Sequence, residues 1–160
     1  MSEHRAWVRW ERAEGDDFAR GRYRRLHSWR FDGGAVIAAS PSPSVVRAPY
    51  SDPAAVDPEE AFVASIASCH MLTFLYLAAK EGLVVEAYDD AAVGTMTKNA
   101  GGTPWVSRVE LRPRVRYAAA PSPELEARLH HRAHEQCFIS ASVKTEIEVL
   151  PPVSEEGVPR

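Results

Sequence analysis

The sequence predicts an α+β domain in which a β-sheet wraps one long central helix. Three observations favour this class: alternating strand patterns near both ends of the chain, a long apolar run at Ala61–Ala79, and a second helical pattern that begins near Ser122. With 160 residues, 45% of them hydrophobic, the chain can bury one sizeable core. We therefore expect a single domain over residues 1–150, followed by a disordered tail over residues 151–160.

Three strands are predicted ahead of the long helix. Apolar and polar side chains alternate over residues 4–12, which is the pattern of a half-buried strand. Residues 23–31 form a second strand, and the Asp-Gly-Gly sequence at 32–34 is a strong hairpin signal before a short third strand at residues 36–39. Residues 40–56 are rich in proline and are predicted to form an irregular loop.

The long helix has the clearest start signal in the chain. Asp57 can act as the N-cap, Pro58 suits the first helical position, and Glu60 completes a capping box with Asp57. The helix should run to about Glu81 and end at Gly82. Because it is apolar nearly all round, we expect it to be buried on most sides.

Further strands and one more helix are predicted after the long helix. The first strand bends near Asp89 and Asp90, and Pro113 in the second favours an edge or a bulge. The helix begins at Ser122 and carries a buried apolar stripe. In chain order the predicted elements are a strand over residues 84–96, a strand over residues 108–117, a helix over residues 122–136 and a strand over residues 143–149.

Composition and charge argue against several classes of function. A net charge of −3 gives no basic surface that would indicate nucleic-acid binding. Charged residues such as Arg5 and Arg9 come too early for a signal peptide, so we expect a cytoplasmic protein. Polar side chains near the centre of Ala61–Ala79, among them His70, argue against a membrane span.

Cys69 and Cys137 are the strongest candidates for chemistry. Two thiols are too few for a disulfide scaffold, but they suit one redox couple in a reducing compartment. Each could instead be a buried bystander, because free cysteine is among the most buried residue types. Peroxide chemistry requires a thiolate, which a nearby cation or hydrogen-bond donors must stabilise.

Glu59 lies at the start of the same helix, ten residues before Cys69. Ten residues of α-helix rise about 15 Å, so the two side chains cannot touch within one regular helix. Either the helix start is distorted, or the carboxylate of one subunit serves the cysteine of another. The second possibility predicts a two-fold dimer with sites at its interface. Glu59 could also be only a favourable charge near the helix N-terminus.

A metal site is a rival interpretation. His130, His134 and Cys137 fall at positions i, i+4 and i+7 of one helix, and the first cysteine could add a ligand. The spacing matches no closed zinc pattern, and the adjacent pair of His130 and His131 is typical of a solvated face. We therefore expect no metal and no bound cofactor.

Three segments resemble the OsmC/Ohr family, whose members reduce organic hydroperoxides. Asp57–Phe62 carries the Pro-Glu pattern, Ala64–Cys69 the Ala-rich stretch that ends in the first cysteine, and Cys137–Ser140 the segment of the second. The order of elements is also similar over residues 4–150. The resemblance implies an OsmC-like fold and an intertwined two-fold dimer with two interfacial sites, in agreement with the helix-length argument.

The resemblance also implies a role for each site residue. Cys69 would attack the O–O bond and become a sulfenic acid. Cys137 would condense with it to a disulfide, which an external dithiol reduces. Glu59 would hold a catalytic arginine that stabilises the thiolate.

The identity of that arginine does not follow from the motif. We expect Arg25, because it lies in a predicted strand, with Arg47 and Arg30 as alternatives. The chain also departs from the family pattern, since His70 stands where an aromatic residue is usual and Phe138 replaces a proline. It therefore looks like a divergent branch.

The sequence supports two hypotheses of function. The first is a homodimeric, thiol-dependent peroxidase that converts organic hydroperoxides to alcohols and has no nucleic-acid or membrane partner. The second is a non-catalytic OsmC-like dimer that binds a small apolar ligand. Apolar side chains near Cys69 favour alkyl or fatty-acid hydroperoxides as substrates; they are Phe62, Ile66, Met71, Leu72, Phe74 and Tyr76.

Overall fold

The computed structural model describes residues 2–150, so the predicted tail over residues 151–160 lies outside the described residues. The chain divides between Ala61 and Phe62 into two compact units. The α+β class is confirmed, because the described residues combine β-strands with a long α-helix and a second, shorter one. The expectation of a single domain over residues 1–150 stays a prediction.

The first unit contains a three-stranded antiparallel sheet. Its strands are β1 (Ala6–Arg9), β2 (His27–Phe31) and β3 (Val36–Ala39), in the order β1-β2-β3. All three were expected, but β2 begins four residues later than predicted. The reason is that the amide of Arg25 donates to the carbonyl of Tyr50, which takes this stretch out of the strand ladder.

Helix α1 (Pro58–Lys80) begins as the sequence predicts. The amide of Glu60 donates to Asp57 Oδ1 at 2.7 Å, and the amide of Asp57 donates to Glu60 Oε2 at 3.0 Å. These two bonds are the capping box, which satisfies two donors that a helix start leaves unpaired. Gly82 follows the helix end with φ of +75°, a conformation that favours glycine. The predicted bounds of this helix are thus confirmed to within one residue.

The second unit holds the remaining strands and helix α2. A two-stranded antiparallel sheet pairs β4 with β7, and a three-stranded sheet has the order β5-β6-β8 with β8 parallel to β6. The elements are β4 (Val85–Asp90), β5 (Val93–Lys98), β6 (Pro104–Leu111), β7 (Pro113–Tyr117), α2 (Pro123–Gln136) and β8 (Glu146–Val149).

Two single strands of the prediction are each two strands in the structure. The amide of Arg112 donates to Asp90 Oδ1 at 2.7 Å, so the chain leaves the ladder just before Pro113. That interruption separates β6 from β7, and residues 91–92 separate β4 from β5 in the same way. The last strand starts at Glu146 because a short 3-10 turn occupies Ser140–Ser142.

Helix α1 contributes to two apolar clusters in the second unit. Toward its C-terminal end, Phe74 and Leu77 pack with Leu129 of α2. Nearer its N-terminal end, Ile66 packs with Val109 and Leu111 of β6 and with partly buried residues of the same sheet. The helix that carries Cys69 is therefore held between α2 and the β5-β6-β8 sheet.

Much of helix α1 is nevertheless uncovered in the single chain. Only five of its residues are fully buried, while Leu72 and Tyr76 are 61% and 56% exposed. The prediction that α1 is buried on most sides is thus wrong for one chain by itself. By length and composition alone, α1 is also apolar enough to cross a membrane. The exposed apolar flank of α1 therefore remains available for contact with another molecule.

Candidate functional site

The two cysteines, which lie 68 residues apart in sequence, meet in the second unit. Cys69 lies on α1, and Cys137 is the residue that ends α2. Both thiols are free, and they lie close enough for each to shift the pKa of the other. The packing of α2 against α1 through Leu129 and Ala133 brings the sulfurs together. This proximity is what a single redox couple requires.

The two sulfurs differ in their access to solvent. Cys137 is fully buried, whereas Cys69 is partly exposed. An oxidant that arrives from solvent can therefore reach Cys69 but not Cys137. This order of access is the one that the predicted roles of Cys69 and Cys137 require.

The protonation of the pair is also asymmetric. Burial raises the pKa of the Cys69 thiol, and the neighbouring Cys137 raises that pKa further. Burial alone would raise the pKa of Cys137 as well, but Cys69 and Ser140 bring the pKa of Cys137 below its ordinary value. The two thiols therefore have different electrostatic surroundings although they are neighbours.

The turn that follows α2 brings backbone N–H groups toward the thiols. The amide of Ser140 donates to Cys137 Sγ at 3.4 Å. The N–H groups of Ile139 and Phe138 act to lower the pKa of Cys69, although burial and Cys137 raise it overall. The hydroxyl of Ser140 also lies near Cys137, although its geometry is too loose for a formal hydrogen bond. Sequence reasoning missed these donors, because backbone groups leave no signature in residue types.

A histidine pair links α1 to α2 next to Cys69 in the sequence. His70, which follows Cys69, is fully buried and places Nε2 3.1 Å from Nδ1 of the half-buried His130 on α2. The two rings are stacked, and Phe74 also stacks on His130, with ring centroids 4.2 Å apart. Burial and the neighbouring His130 lower the pKa of His70 to about 4, and burial lowers the pKa of His130 to about 4. Both rings are therefore neutral at pH 7.

This pair corrects one part of the sequence interpretation. His131 is exposed, as a solvated face requires, but His130 points inward to His70. The signal that could have found it is helical spacing, because His130 lies one residue after the buried Leu129 and three residues before the buried Ala133. Within residues 2–150, no group of three or more His, Cys, Asp or Glu side chains has an arrangement that could hold a metal ion.

A cavity of about 740 Å³ lies beside α2 in the second unit. Its apolar walls include Pro113, Ile147 and Val149. Its polar lining includes His130 and His134, and the Nδ1 atom of His134 is buried without a hydrogen-bond partner. Mostly apolar walls with a few polar groups are typical of small-molecule sites.

The side chain of Arg25 contacts residues that lie only a few positions away in the chain, within the first unit. Its guanidinium donates to the carbonyl of Tyr23 at 2.9 Å and to that of Gly21 at 3.4 Å, and it lies 4.0 Å from the centre of the Tyr23 ring. Glu59 is half-buried, and among the ion pairs of residues 2–150 none includes it. Within one chain, the expected pair between Glu59 and Arg25 is not formed.

The alternative arginines are not paired with Glu59 either. Arg30 lies over the ring of Trp7 at 5.7 Å, and Arg47 is exposed in the proline-rich loop. The role of a catalytic arginine therefore stays a prediction, and a second subunit would have to supply it or orient it.

Comparison with known proteins gives a consistent result. The family model of OsmC-like proteins matches residues 51–150. An OsmC-like protein of unknown function from Vibrio cholerae is 49% identical, with 94% of this chain and 99% of that chain covered and a TM-score of 0.90. Among curated proteins, none matches the chain.

Two more distant structures are organic hydroperoxide resistance proteins. One, from Legionella pneumophila, is 15% identical over 96% of this chain and 98% of its own, with a TM-score of 0.65. The other, from Elizabethkingia anophelis with thiocyanate bound, is 16% identical over 98% of each chain, with a TM-score of 0.68. At this level of identity the likeness extends to the fold alone.

Proposed function

The chain belongs to the OsmC-like protein family, and we propose that it is a thiol-dependent peroxidase that reduces organic hydroperoxides to alcohols. One observation carries this proposal: the partly exposed Cys69 is the neighbour of the buried Cys137, close enough for each thiol to shift the pKa of the other. Family relatives that are organic hydroperoxide resistance proteins support the same reaction class.

The proposed cycle consumes one hydroperoxide and two thiols. The Cys69 thiolate attacks one oxygen of the O–O bond, which breaks, and the other oxygen leaves with a proton as the alcohol. Cys69 is then a sulfenic acid. The Cys137 thiolate attacks its sulfur, water leaves, and a Cys69–Cys137 disulfide forms. An external dithiol, rather than a bound cofactor, returns the disulfide to two thiols.

Substrate preference is proposed from the exposed apolar flank of α1. Leu72 and Tyr76, one turn or two beyond Cys69, are exposed and available to contact an alkyl chain. Ile66 and Phe74, which the sequence also suggested, are fully buried in the core and cannot line a substrate site. We therefore propose alkyl or fatty-acid hydroperoxides as substrates for a cytoplasmic enzyme.

A two-fold dimer is part of the proposal, and two observations support it. The apolar flank of α1 that includes Leu72 and Tyr76 lacks a cover in one chain, and a second copy would bury it. The capping box is intact, so the helix start is regular and Glu59 lies about 15 Å along α1 from the Cys69 of its own chain. Glu59 and Arg25 of one subunit would then stabilise the thiolate of Cys69 in the other subunit. Sedimentation equilibrium tests this, and a monomer at micromolar concentration would contradict it.

The cavity beside α2 supports a second candidate function. A volume of about 740 Å³ with walls such as Ile147 and Val149 suits a small apolar molecule. In that case the chain would be a non-catalytic OsmC-like dimer that binds such a ligand, and its thiols would not turn over with peroxide.

Intact-mass measurement separates the two candidates. One equivalent of cumene hydroperoxide should remove two hydrogens from the reduced protein as Cys69 and Cys137 pair. Cys69→Ser should consume no peroxide, whereas Cys137→Ser should complete one turnover and then stall or over-oxidise at Cys69. Two thiols that persist after peroxide treatment would rule out the peroxidase, and equal, mild effects of the two substitutions would contradict the division of roles.

A further inference from the structure

We infer that the backbone N–H groups of Phe138, Ile139 and Ser140 form an amide cradle that stabilises the negative charge of the reduced cysteine pair. This inference rests on the proposed function, because it concerns how the same two sulfurs are activated. It adds a source of stabilisation that the chain carries within its second unit and that does not depend on an arginine.

The geometry of the turn aims these donors at sulfur. Cys137 leaves α2 with φ of −71° and ψ of 118°, which turns the chain back toward its own side chain. The amide of Ser140 then donates to Cys137 Sγ at 3.4 Å, and the amides of Phe138 and Ile139 come just before it in the same turn. Among the described residues, none of these three amides donates to a backbone carbonyl. The turn therefore leaves these N–H groups available to the sulfurs.

The turn is held in place by hydrogen bonds that spare these amides. The amide of Ala141 donates to the Cys137 carbonyl at 3.1 Å, and the amide of Ser142 donates to the Ile139 carbonyl at 3.0 Å. The hydroxyl of Ser142 donates to the Phe138 carbonyl at 2.7 Å. Successive N–H groups fixed in this way form a concave site for an anion, and charge-assisted hydrogen bonds are the strong ones.

The direction of the protonation equilibria agrees with the geometry. The backbone N–H groups of Ile139 and Phe138 act to lower the pKa of Cys69 against the effect of burial, and Ser140 acts to lower the pKa of Cys137. The guanidinium of Arg25 plays no part in these pKa shifts, because it donates to backbone carbonyls of the first unit.

Phe138 has a particular place in the cradle. It stands where the OsmC/Ohr pattern carries proline, and proline has no backbone N–H. Its side chain is 84% exposed, so it contributes little to the core. What this residue provides at the site is therefore its amide, a donor that a proline at the same position would remove.

The test compares Phe138→Pro with Phe138→Ala. A residue before proline favours extended backbone, and Cys137 already has it, so the substitution deletes one N–H without opposing the backbone of the preceding residue. Alanine removes the side chain but keeps the N–H. The readout is the pH dependence of iodoacetamide alkylation of Cys69 in the reduced full-length protein, resolved by peptide mass.

Phe138→Pro should raise the apparent thiolate pKa of the pair and slow alkylation at pH 7 about three- to tenfold, since one pKa unit is a factor of ten in thiolate. Phe138→Ala should keep the pH profile of the unsubstituted protein. Identical profiles for the proline and alanine variants would overturn the inference.

A second measurement needs no substitution and covers the case in which the proline variant does not fold. In the reduced protein, the amide proton resonances of residues 138–140 should shift with the apparent pKa of the thiols. Resonances that stay constant through this titration would refute the cradle. Neither experiment uses peroxide, so a protein with the cradle but without turnover would overturn only the proposed peroxidase activity.

Discussion

Acid should destabilise the fold through His70, and the size of the effect follows from its burial. The ring is fully enclosed between α1 and α2, and burial followed by the neighbouring His130 lowers its pKa to about 4. In the unfolded chain a histidine has a pKa of about 6.5. The difference of about 2.5 units, at 1.36 kcal/mol per unit, corresponds to ~3 kcal/mol.

The sign is fixed by which state binds the proton. Between pH 6.5 and 4 the His70 side chain is protonated in the unfolded chain but neutral in the folded chain. The free energy of unfolding therefore falls as the pH falls. Above pH 6.5 both states are neutral at this residue and the contribution is flat. His130, with its own pKa lowered to about 4 by burial, adds a smaller loss in the same window because it is partly exposed.

Urea unfolding of the reduced protein at a series of pH values from 7 to 4.5 measures this effect. His70→Phe keeps an aromatic ring of similar size but cannot titrate, so its free energy of unfolding should fall less over the series than that of the unsubstituted protein. His4→Asn, on the exposed N-terminal segment, is the control and should not change the slope. Parallel pH dependence in His70→Phe and the unsubstituted protein would refute the assignment of this proton to the buried ring.

Two substitutions test how α1 is placed. A Cβ at Gly94 of β5 would lie 2.5 Å from Cγ2 of Val63 on α1, so Gly94→Ala should lower the free energy of unfolding by about 1–3 kcal/mol through overpacking, whereas Gly33→Ala, with no atom nearby, should not. An equal loss in both glycine variants would contradict the close contact. Asp57→Ala removes the N-cap that bonds Glu60 and should cost ~1 kcal/mol in the same denaturation assay, and no loss would show that the cap does not hold the helix start.

The elements with local signals were predictable from the sequence. The start of α1 is set by the four-residue segment from Asp57 to Glu60, which carries its own hydrogen bonds, and the N-cap of α2 at Ser122 accepts from the amide of Leu125 in the same way. At Pro113 the sequence indicated an edge or a bulge, but the full split of the strand was not predictable, because it depends on Asp90, which lies 22 residues earlier in the chain and accepts from the amide of Arg112. Local chemistry fixes where helices begin, while non-local bonds decide where strands are interrupted.

The site shows the same division. Residue type alone identified Cys69 and Cys137 as the candidates, since they are the two cysteines of the chain. Their proximity depends on how α2 packs on α1, and no local pattern in the sequence indicates that packing. The amides of residues 138–140 had no signal in composition or motif, because they depend on backbone geometry. The inward position of His130 had one signal, its helical spacing from Leu129 and Ala133, but its contact with His70 depends on the packing of one helix on another.

The arrangement of the pair bears on how the accessible sulfur is protected between turnovers. Burial and the neighbouring Cys137 raise the pKa of Cys69, the sulfur that an oxidant can reach, and a thiol is a far weaker nucleophile than a thiolate. The pKa of the fully buried Cys137 is lowered in the same pair. In the proposed peroxidase cycle, the proton that leaves Cys69 would therefore have a neighbouring acceptor in Cys137. Because each thiol shifts the pKa of the other, the two titrate as a pair rather than as independent groups.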